Sequence, residues 1–351
     1  ADGTPVRPSE GRPMHIGLTG WQREAAGGDH RELLALFQRA DALGFDSLWL
    51  PELHFRRSGL PYPSPLLLAA AVFGCTERIR VGTGVTLLPL QHPLLLAENL
   101  SQLDWQSGGR LDVGIGRGND EHTMRALGID PSTTHERFVR SYDLLVQAWV
   151  QEFVDSVGGP WRFGLTSVTP PLQQPHPPIY VAGSSLETIR FAVEHRLPHL
   201  LSLEPPEQRQ LKRWHEVVGP GTPLAELGRS SLARYIFIGH TDSEAHALLD
   251  RALPFILARR RWSPVDVGDA DAVAKARADL IQHQAIVGSP ESCIRAIAQL
   301  ARTIGAGHVR LIFNAQGGLD HATTLSQMEL FAREALPACR AIQPDLAALP
   351  A

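Results

Sequence analysis

The chain has 351 residues, of which 43% are hydrophobic and 20% charged, and its formal net charge is -4 at pH 7. That length suits two average domains or one α/β barrel with insertions, and the composition is typical of a soluble globular protein. No basic run is longer than Arg259–Arg261, which we interpret as a solvated helix face, so the electrostatic footprint of a nucleic-acid-binding protein is missing.

The cysteines and the N-terminal stretch indicate the cellular compartment. Cys75, Cys293 and Cys339 are far apart and odd in number, which predicts neither a disulfide framework nor a metal site. Residues 1–13 lack the apolar core of a secretion signal, and no run reaches the roughly 18 apolar residues of a membrane span. We therefore expect a cytoplasmic protein with a flexible segment at 1–13, one domain at 14–340 and a C-terminal tail at 341–351.

Short apolar runs alternate with longer stretches of helical periodicity, which predicts repeated strand–helix units around a parallel sheet. The first helix has Asp29 as its N-cap and Gly44 as its C-terminal cap. Strands are predicted at 15–19, 45–50, 79–88, 111–115, 179–183, 200–203, 234–238 and 309–313. Helices between them are predicted at 65–73, 93–105, 136–150 and 185–195. Eight strands favour closure into a single (β/α)8 TIM barrel over an open sheet.

Two segments interrupt this alternation and are predicted as insertions. Residues 158–178, after the fourth strand, are rich in Pro and Gly, and strand–helix units resume beyond them. Residues 259–284, after the seventh strand, are polar. This second insertion is either a lid over the C-terminal face of the barrel or an inert segment, and the sequence favours neither interpretation.

The end of the second strand carries a carboxylate and an imidazole, Glu52 and His54. Residues two apart in extended chain point the same way, and the C-terminal ends of barrel strands are where such enzymes place their chemistry. The pair is therefore a candidate proton-transfer site. On spacing alone, a histidine with a purely structural role is the commoner case.

The third and fourth strands end in glycine-rich turns. Gly82 and Gly84 would let the backbone approach a flat ligand, although glycine in a strand can also mark a bulge. The turn at 114–118 lacks the third glycine of a dinucleotide fingerprint because Asn119 stands there. It instead presents Arg117, whose guanidinium suits a phosphate or carboxylate, or a surface salt bridge.

At the fifth strand, Gly183, Ser184 and Ser185 lead directly into a helix. Free backbone N–H groups and hydroxyls there favour an anion, although a serine at a helix start is most often only an N-cap. Together with Arg117 on the neighbouring strand, this turn predicts a phosphorylated ligand. The usual motifs of phosphoryl transfer, zinc hydrolysis and serine hydrolysis are missing, so the hard chemistry is expected to belong to a bound cofactor.

An ordered series of segments resembles the bacterial-luciferase-like flavin-dependent monooxygenase family. The segments are 40–49, 52–55, 80–85 with 88–89 and 92–93, 103–104 with 108–110, 114–118, 136–138 and 181–185. The resemblance extends from about His15 to Leu336. It implies a barrel that holds FMN at its C-terminal mouth and uses reduced FMN, supplied by a separate flavin reductase, with O2 on a small organic substrate. A deazaflavin F420-dependent hydride-transfer enzyme and a non-catalytic flavin-binding subunit are the alternatives.

The resemblance also implies roles for individual residues. The Gly84–Val85 peptide would be cis beneath the flavin ring, and His54 would lie near the reactive face. Phosphate contacts are implied for Arg117, Arg137, Ser184 and Ser185, and flavin contacts for Glu52, Val181 and Ser202. A homodimer through the helices at 65–73 and 93–103 is implied as well.

Two departures from the luciferase pattern are informative. Leu53 replaces a histidine linked to light emission, so light emission from an aldehyde is not expected. Glu187 occupies a position where luciferases offer a hydroxyl to the phosphate, and its carboxylate would repel that phosphate unless turned away.

Overall fold

The computed structural model describes residues 13–20, 29–55, 62–203, 207–220, 222, 230–260 and 264–343. The chain folds as a (β/α)8 barrel, as predicted: eight parallel strands form a closed sheet, and helices surround it. Most of the predicted N-terminal segment and C-terminal tail, together with Arg261, lie outside the described residues. Among the helices of the described ranges, none has the length and apolar character to cross a membrane.

The elements follow one another in chain order. The strands are β1 (His15–Leu18), β2 (Ser47–Leu50), β3 (Arg80–Thr83), β4 (Thr86–Leu87), β5 (Leu111–Gly116), β6 (Val154–Ser156), β7 (Phe163–Thr166), β8 (Ile179–Ala182), β9 (His199–Leu201), β10 (Ser231–Ile238), β11 (Ala285–Gly288) and β12 (His308–Ile312). The helices are α1 (His30–Leu43), α2 (Pro65–Phe73), α3 (Pro93–Ser107), α4 (Glu121–Ala126), α5 (Thr134–Val150), α6 (Leu186–Glu194), α7 (Glu207–Val218), α8 (Asp242–Ala258), α9 (Ala270–His283), α10 (Pro290–Thr303), α11 (His321–Glu334) and α12 (Leu336–Ala341).

The chain divides into two compact units, and each is described by itself. The central unit comprises residues 48–180, and the terminal unit comprises the described residues up to Ser47 and from Val181 onwards. In the central unit β3 and β4 both pair with β5, and β6, which precedes the predicted first insertion, forms an antiparallel hairpin with β7 inside it.

In the terminal unit the long strand β10 joins several partners. Its first residues pair with β9 and β12, and β12 also pairs with β1. Its last four residues pair with β11, which the sequence analysis missed. β11 is a short apolar run of four residues, and such a run has too little periodicity to distinguish a strand from the start of a helix.

The second insertion contains helix α9 and leads directly into β11. Ala276 and Leu280 of α9 are buried in an apolar cluster with Leu249 and Leu253 of α8. This packing favours a structural role for the segment over a lid. The interpretation of Arg260 as part of a solvated face was wrong: its side chain is 8% exposed and contacts Gln284 and Asp279.

The predicted caps of the first helix are confirmed. The Asp29 carboxylate accepts hydrogen bonds from the backbone N–H groups of Arg31 and Glu32, and Gly44 ends α1 in the left-handed conformation with φ 89°. These caps direct the chain from α1 into β2.

Candidate active site

Glu52 and His54 form a hydrogen-bonded pair directly after β2. The distance between His54 Nε2 and Glu52 Oε1 is 2.7 Å, and Glu52 Oε2 accepts a hydrogen bond of 2.9 Å from the Leu87 backbone N–H. The Gln91 amide donates a longer bond of 3.4 Å to Oε1. Glu52 is buried, so three donors fix its carboxylate in one orientation.

The contact with Glu52 changes the pKa of His54. The hydrogen bond to Glu52 raises the pKa of His54 above its ordinary value of 6.5, although burial acts in the opposite direction. The His54 side chain remains 25% exposed. The arrangement is therefore a buried carboxylate that holds a proton on an accessible imidazole, which is the geometry of a proton-transfer site.

The Gly84–Val85 peptide bond is cis, as the resemblance implies. Gly84 is fixed next to β2 by a hydrogen bond of 2.7 Å from its N–H to the Leu50 carbonyl. The glycine at position 82 is explained by packing and not by contact with a flat ligand. A Cβ atom there would lie 2.5 Å from the Trp49 ring, so the absence of a side chain makes room for this tryptophan.

Arg137, on α5, is held on one side and open on the other. Its Nε donates a hydrogen bond of 3.0 Å to the Pro89 carbonyl, and its guanidinium lies 4.3 Å from the centre of the Trp161 ring. Burial lowers the pKa of Arg137, and no acidic group in the described part of the chain offsets this effect. Within the described residues, its two terminal amino groups have no hydrogen-bond partner. The side chain can therefore accept an anion.

Arg117 follows the last residue of β5 and is half-buried. Gly118, with φ 78°, turns the chain immediately after it, toward the start of α4. The predicted placement of this guanidinium at a strand end is thus correct, while its phosphate contact stays a prediction.

In the terminal unit, Ser185 is the N-cap of α6. Its hydroxyl accepts a hydrogen bond from the Thr188 backbone N–H at 3.2 Å, so the structural interpretation of this serine is correct. The preceding Ser184 has its carbonyl fixed by Arg213 of α7, at 2.5 Å. Glu187 is exposed.

Val181 and Ser202 occupy different environments in the same unit. Val181 is fully buried within β8 and pairs with His199. Ser202 is exposed just after β9, where its backbone exchanges two hydrogen bonds with the Gln210 amide. The flavin contacts of both residues stay predictions.

Comparison with known proteins decides the family. A family model described as luciferase-like monooxygenase matches residues 14–307. The chain belongs to the luciferase-like monooxygenases. The resemblance inferred from the ordered segments is therefore confirmed.

This luciferase-like monooxygenase has relatives of several activities. It is 27% identical over 330 residues to the alkanal monooxygenase alpha chain of Photorhabdus luminescens, covering 87% of this chain and 90% of that protein. It is 34% identical over 167 residues to the oxygenase component of the flavin-dependent trigonelline monooxygenase of Acinetobacter baylyi, covering 47% of this chain and 46% of that protein. The crystallised oxygenating constituent of 3,6-diketocamphane monooxygenase from Pseudomonas putida, a complex with FMN, shares the fold with a TM-score of 0.74 at 23% identity, covering 93% and 98% of the two chains.

Sequence analysis missed one residue in each unit that contacts a predicted site residue. Trp161 lies in a Pro- and Gly-rich stretch without periodicity, so nothing local connects it to Arg137 twenty-four residues earlier. Arg213 lies in an amphipathic helix, where an arginine normally faces solvent. Both contacts arise from tertiary packing.

Proposed function

We propose that this luciferase-like monooxygenase is an FMN-dependent enzyme that uses reduced FMN and O2 to oxidise a small organic substrate. A separate flavin reductase supplies the reduced cofactor, as the name of the oxygenase component in Acinetobacter suggests for that protein. Leu53, in place of the histidine linked to light emission, supports oxidation without light emission.

The observation that carries this proposal is the Glu52–His54 pair. FMN and O2 supply the oxidising chemistry when bound, and the chain must control protons beside them. Glu52, held by the Leu87 N–H, keeps the His54 imidazole oriented through Nε2 and favours its protonated form. A partly exposed imidazole in this state can donate a proton and recover it from solvent.

We assign the binding of the FMN phosphate to two arginines of the central unit. Arg137 offers two unused amino groups on a partly desolvated guanidinium, and Arg117 presents another guanidinium at the end of β5. Guanidinium groups bind phosphate through paired hydrogen bonds. Phosphate contacts from Ser184 and Ser185 remain part of the prediction.

The test is a titration of the purified chain with FMN and with F420, followed by oxygen uptake with chemically reduced FMN. We expect FMN binding, and oxygen consumption whose rate differs from that of free reduced FMN. Binding of F420 in preference to FMN, with hydride transfer, would replace the proposal by the deazaflavin alternative. FMN binding without an effect on oxygen consumption would indicate a flavin-binding subunit.

We further propose that the chain forms a homodimer through α2 and α3. Leu67 on α2 is 77% exposed and Leu95 on α3 is 61% exposed, although both helices bury their opposite faces. Large exposed apolar side chains of this kind are typical of surfaces that another subunit covers. The double variant Leu67→Glu, Leu95→Glu should sediment as a monomer in analytical ultracentrifugation, and wild-type protein that is already monomeric would contradict the proposal.

A further inference from the structure

Trp161 is held more firmly than an ordinary surface tryptophan. Its indole N–H donates a hydrogen bond of 2.9 Å to Ser141 Oγ of α5, and its carbonyl accepts one of 2.7 Å from Ser156 Oγ of β6. The His92 ring and the indole pack edge to face, with 5.2 Å between the ring centres. The indole is therefore fixed by the hairpin, by α5 and by the start of α3.

The face of this indole lies against the Arg137 guanidinium. The distance of 4.3 Å from the guanidinium carbon to the ring centre is well inside the range of a cation–π contact. Arginine side chains lose considerable rotamer freedom when they bind a ligand. A guanidinium that already contacts an aromatic ring and is anchored through Nε loses less of this freedom.

The partners of Arg137 leave its two terminal amino groups available to a ligand. The Pro89 carbonyl accepts a hydrogen bond from Nε only, and the Trp161 ring contacts the guanidinium without accepting a hydrogen bond from its terminal amino groups. The partial burial of the guanidinium lowers the pKa of Arg137 without any carboxylate to compensate it. An anion that binds the two terminal amino groups therefore contacts a guanidinium that is already oriented and only weakly hydrated.

We infer that Trp161 is a positioning residue: the β6–β7 hairpin holds its indole against Arg137 and so orients this guanidinium for the phosphate of the flavin cofactor. This inference rests on the proposed function. It predicts that Trp161 affects the discrimination between flavins with and without a phosphate, and not the binding of the flavin ring.

The test compares oxidised FMN with riboflavin, which lacks the phosphate, by flavin fluorescence quenching. The preference of wild-type protein for FMN is the ratio of the two Kd values. Trp161→Leu should lower that ratio by up to about tenfold and leave the Kd of riboflavin unchanged, since immobilising one rotamer-rich side chain on binding weakens affinity by about this much. Trp161→Phe, which keeps an aromatic face, should restore most of the ratio.

Two controls separate this role from general damage. Trp105→Leu removes another tryptophan of the central unit, which donates to the Pro170 carbonyl, and should not change the ratio. In an Arg137→Ala background, Trp161→Leu should have no further effect on FMN binding, because coupled residues are non-additive. Near-UV circular dichroism and the Tm of each variant verify folding.

The outcomes are distinguishable. If Trp161→Leu leaves the ratio unchanged, or weakens FMN and riboflavin equally, while Arg137→Ala lowers the ratio, the inference about Trp161 is overturned and the proposed FMN site stands. If Arg137→Ala also leaves the ratio unchanged, Arg137 does not bind the phosphate and the inference falls with that contact. If wild-type protein binds neither flavin, the proposed function itself is wrong.

Discussion

The two insertions relate to their own units in opposite ways. The β6–β7 hairpin exposes large apolar side chains, with Val157 87% and Leu165 71% exposed, yet one of its residues, Trp161, packs against Arg137. The segment after β10 instead buries Ala276 and Leu280 and adds strand β11 to the end of β10. The first insertion thus supports a candidate binding residue, and the second completes an apolar core.

Composition is a poor guide to which insertion matters for function. The polar segment at 259–284 invited the interpretation as a lid, but Ala276 and Leu280, one turn apart on α9, are buried. The Pro- and Gly-rich segment was predicted only as an insertion with no assigned role, but a turn-rich hairpin can present one aromatic side chain at a defined place. The following predictions test this contrast.

The largest effect is expected from Leu280→Ala in α9. Leu280 is fully buried, so truncation should lower the free energy of unfolding by roughly 2–5 kcal/mol through lost burial and the cavity left behind. The Kd of FMN should stay unchanged. Urea unfolding and flavin fluorescence measure the two quantities on the same preparation.

The matched control is Lys275→Ala, on the exposed side of the same helix, which should change stability by less than about 0.5 kcal/mol. A Leu280→Ala protein of wild-type stability but altered flavin binding would reverse the assignment and restore the lid interpretation.

A smaller effect on stability is expected from Ser156→Ala in β6. The buried Ser156 hydroxyl donates to the Trp161 carbonyl and accepts from Arg140, so its loss should cost about 1–3 kcal/mol. Because the same bond holds Trp161, the preference for FMN over riboflavin should fall as well. Equal Kd ratios in Ser156→Ala and wild-type protein would show that the hairpin does not need this bond to hold Trp161.

Much of the fold could be predicted from the sequence because its signals are local. Caps such as Asp29 and Gly44 and the alternation of apolar runs depend on neighbouring residues only, and all eight predicted strands are present. Glu52 and His54 were found because two residues share one strand end. Trp161 and Arg213 were missed because their partners are distant in sequence, which a single chain does not reveal. β11 was missed because four residues carry too little periodicity.

The Glu52–His54 pair lies outside both insertions. Its titration is therefore a reference that variants in the insertions should leave unchanged. The pKa of His54 is raised above 6.5, so the pair stabilises the fold fully below pH 6.5 and loses that contribution as the pH rises through the raised pKa. Glu52→Gln removes the carboxylate and should lower the pKa of His54. Long-range 1H–15N spectra, assigned with a His54→Asn variant, follow the titration.

The same titration curve for His54 is expected in Leu280→Ala and Ser156→Ala proteins. A shifted His54 pKa in either variant would show that an insertion influences the end of β2, and the contrast drawn above would then need revision.

The smallest effect is expected from Arg277→Gln, on the outer side of α9. Arg277 Nε lies 2.6 Å from an Asp250 carboxylate oxygen of α8, and both side chains are substantially exposed. Exposed ion pairs contribute about 0–1 kcal/mol and weaken with salt. The stability difference from wild-type protein should therefore be small in dilute buffer and vanish near 1 M NaCl. A loss as large as that of Leu280→Ala would mean that α9 is held by its charges rather than by its buried face, which would remove the basis for treating the second insertion as part of an apolar core.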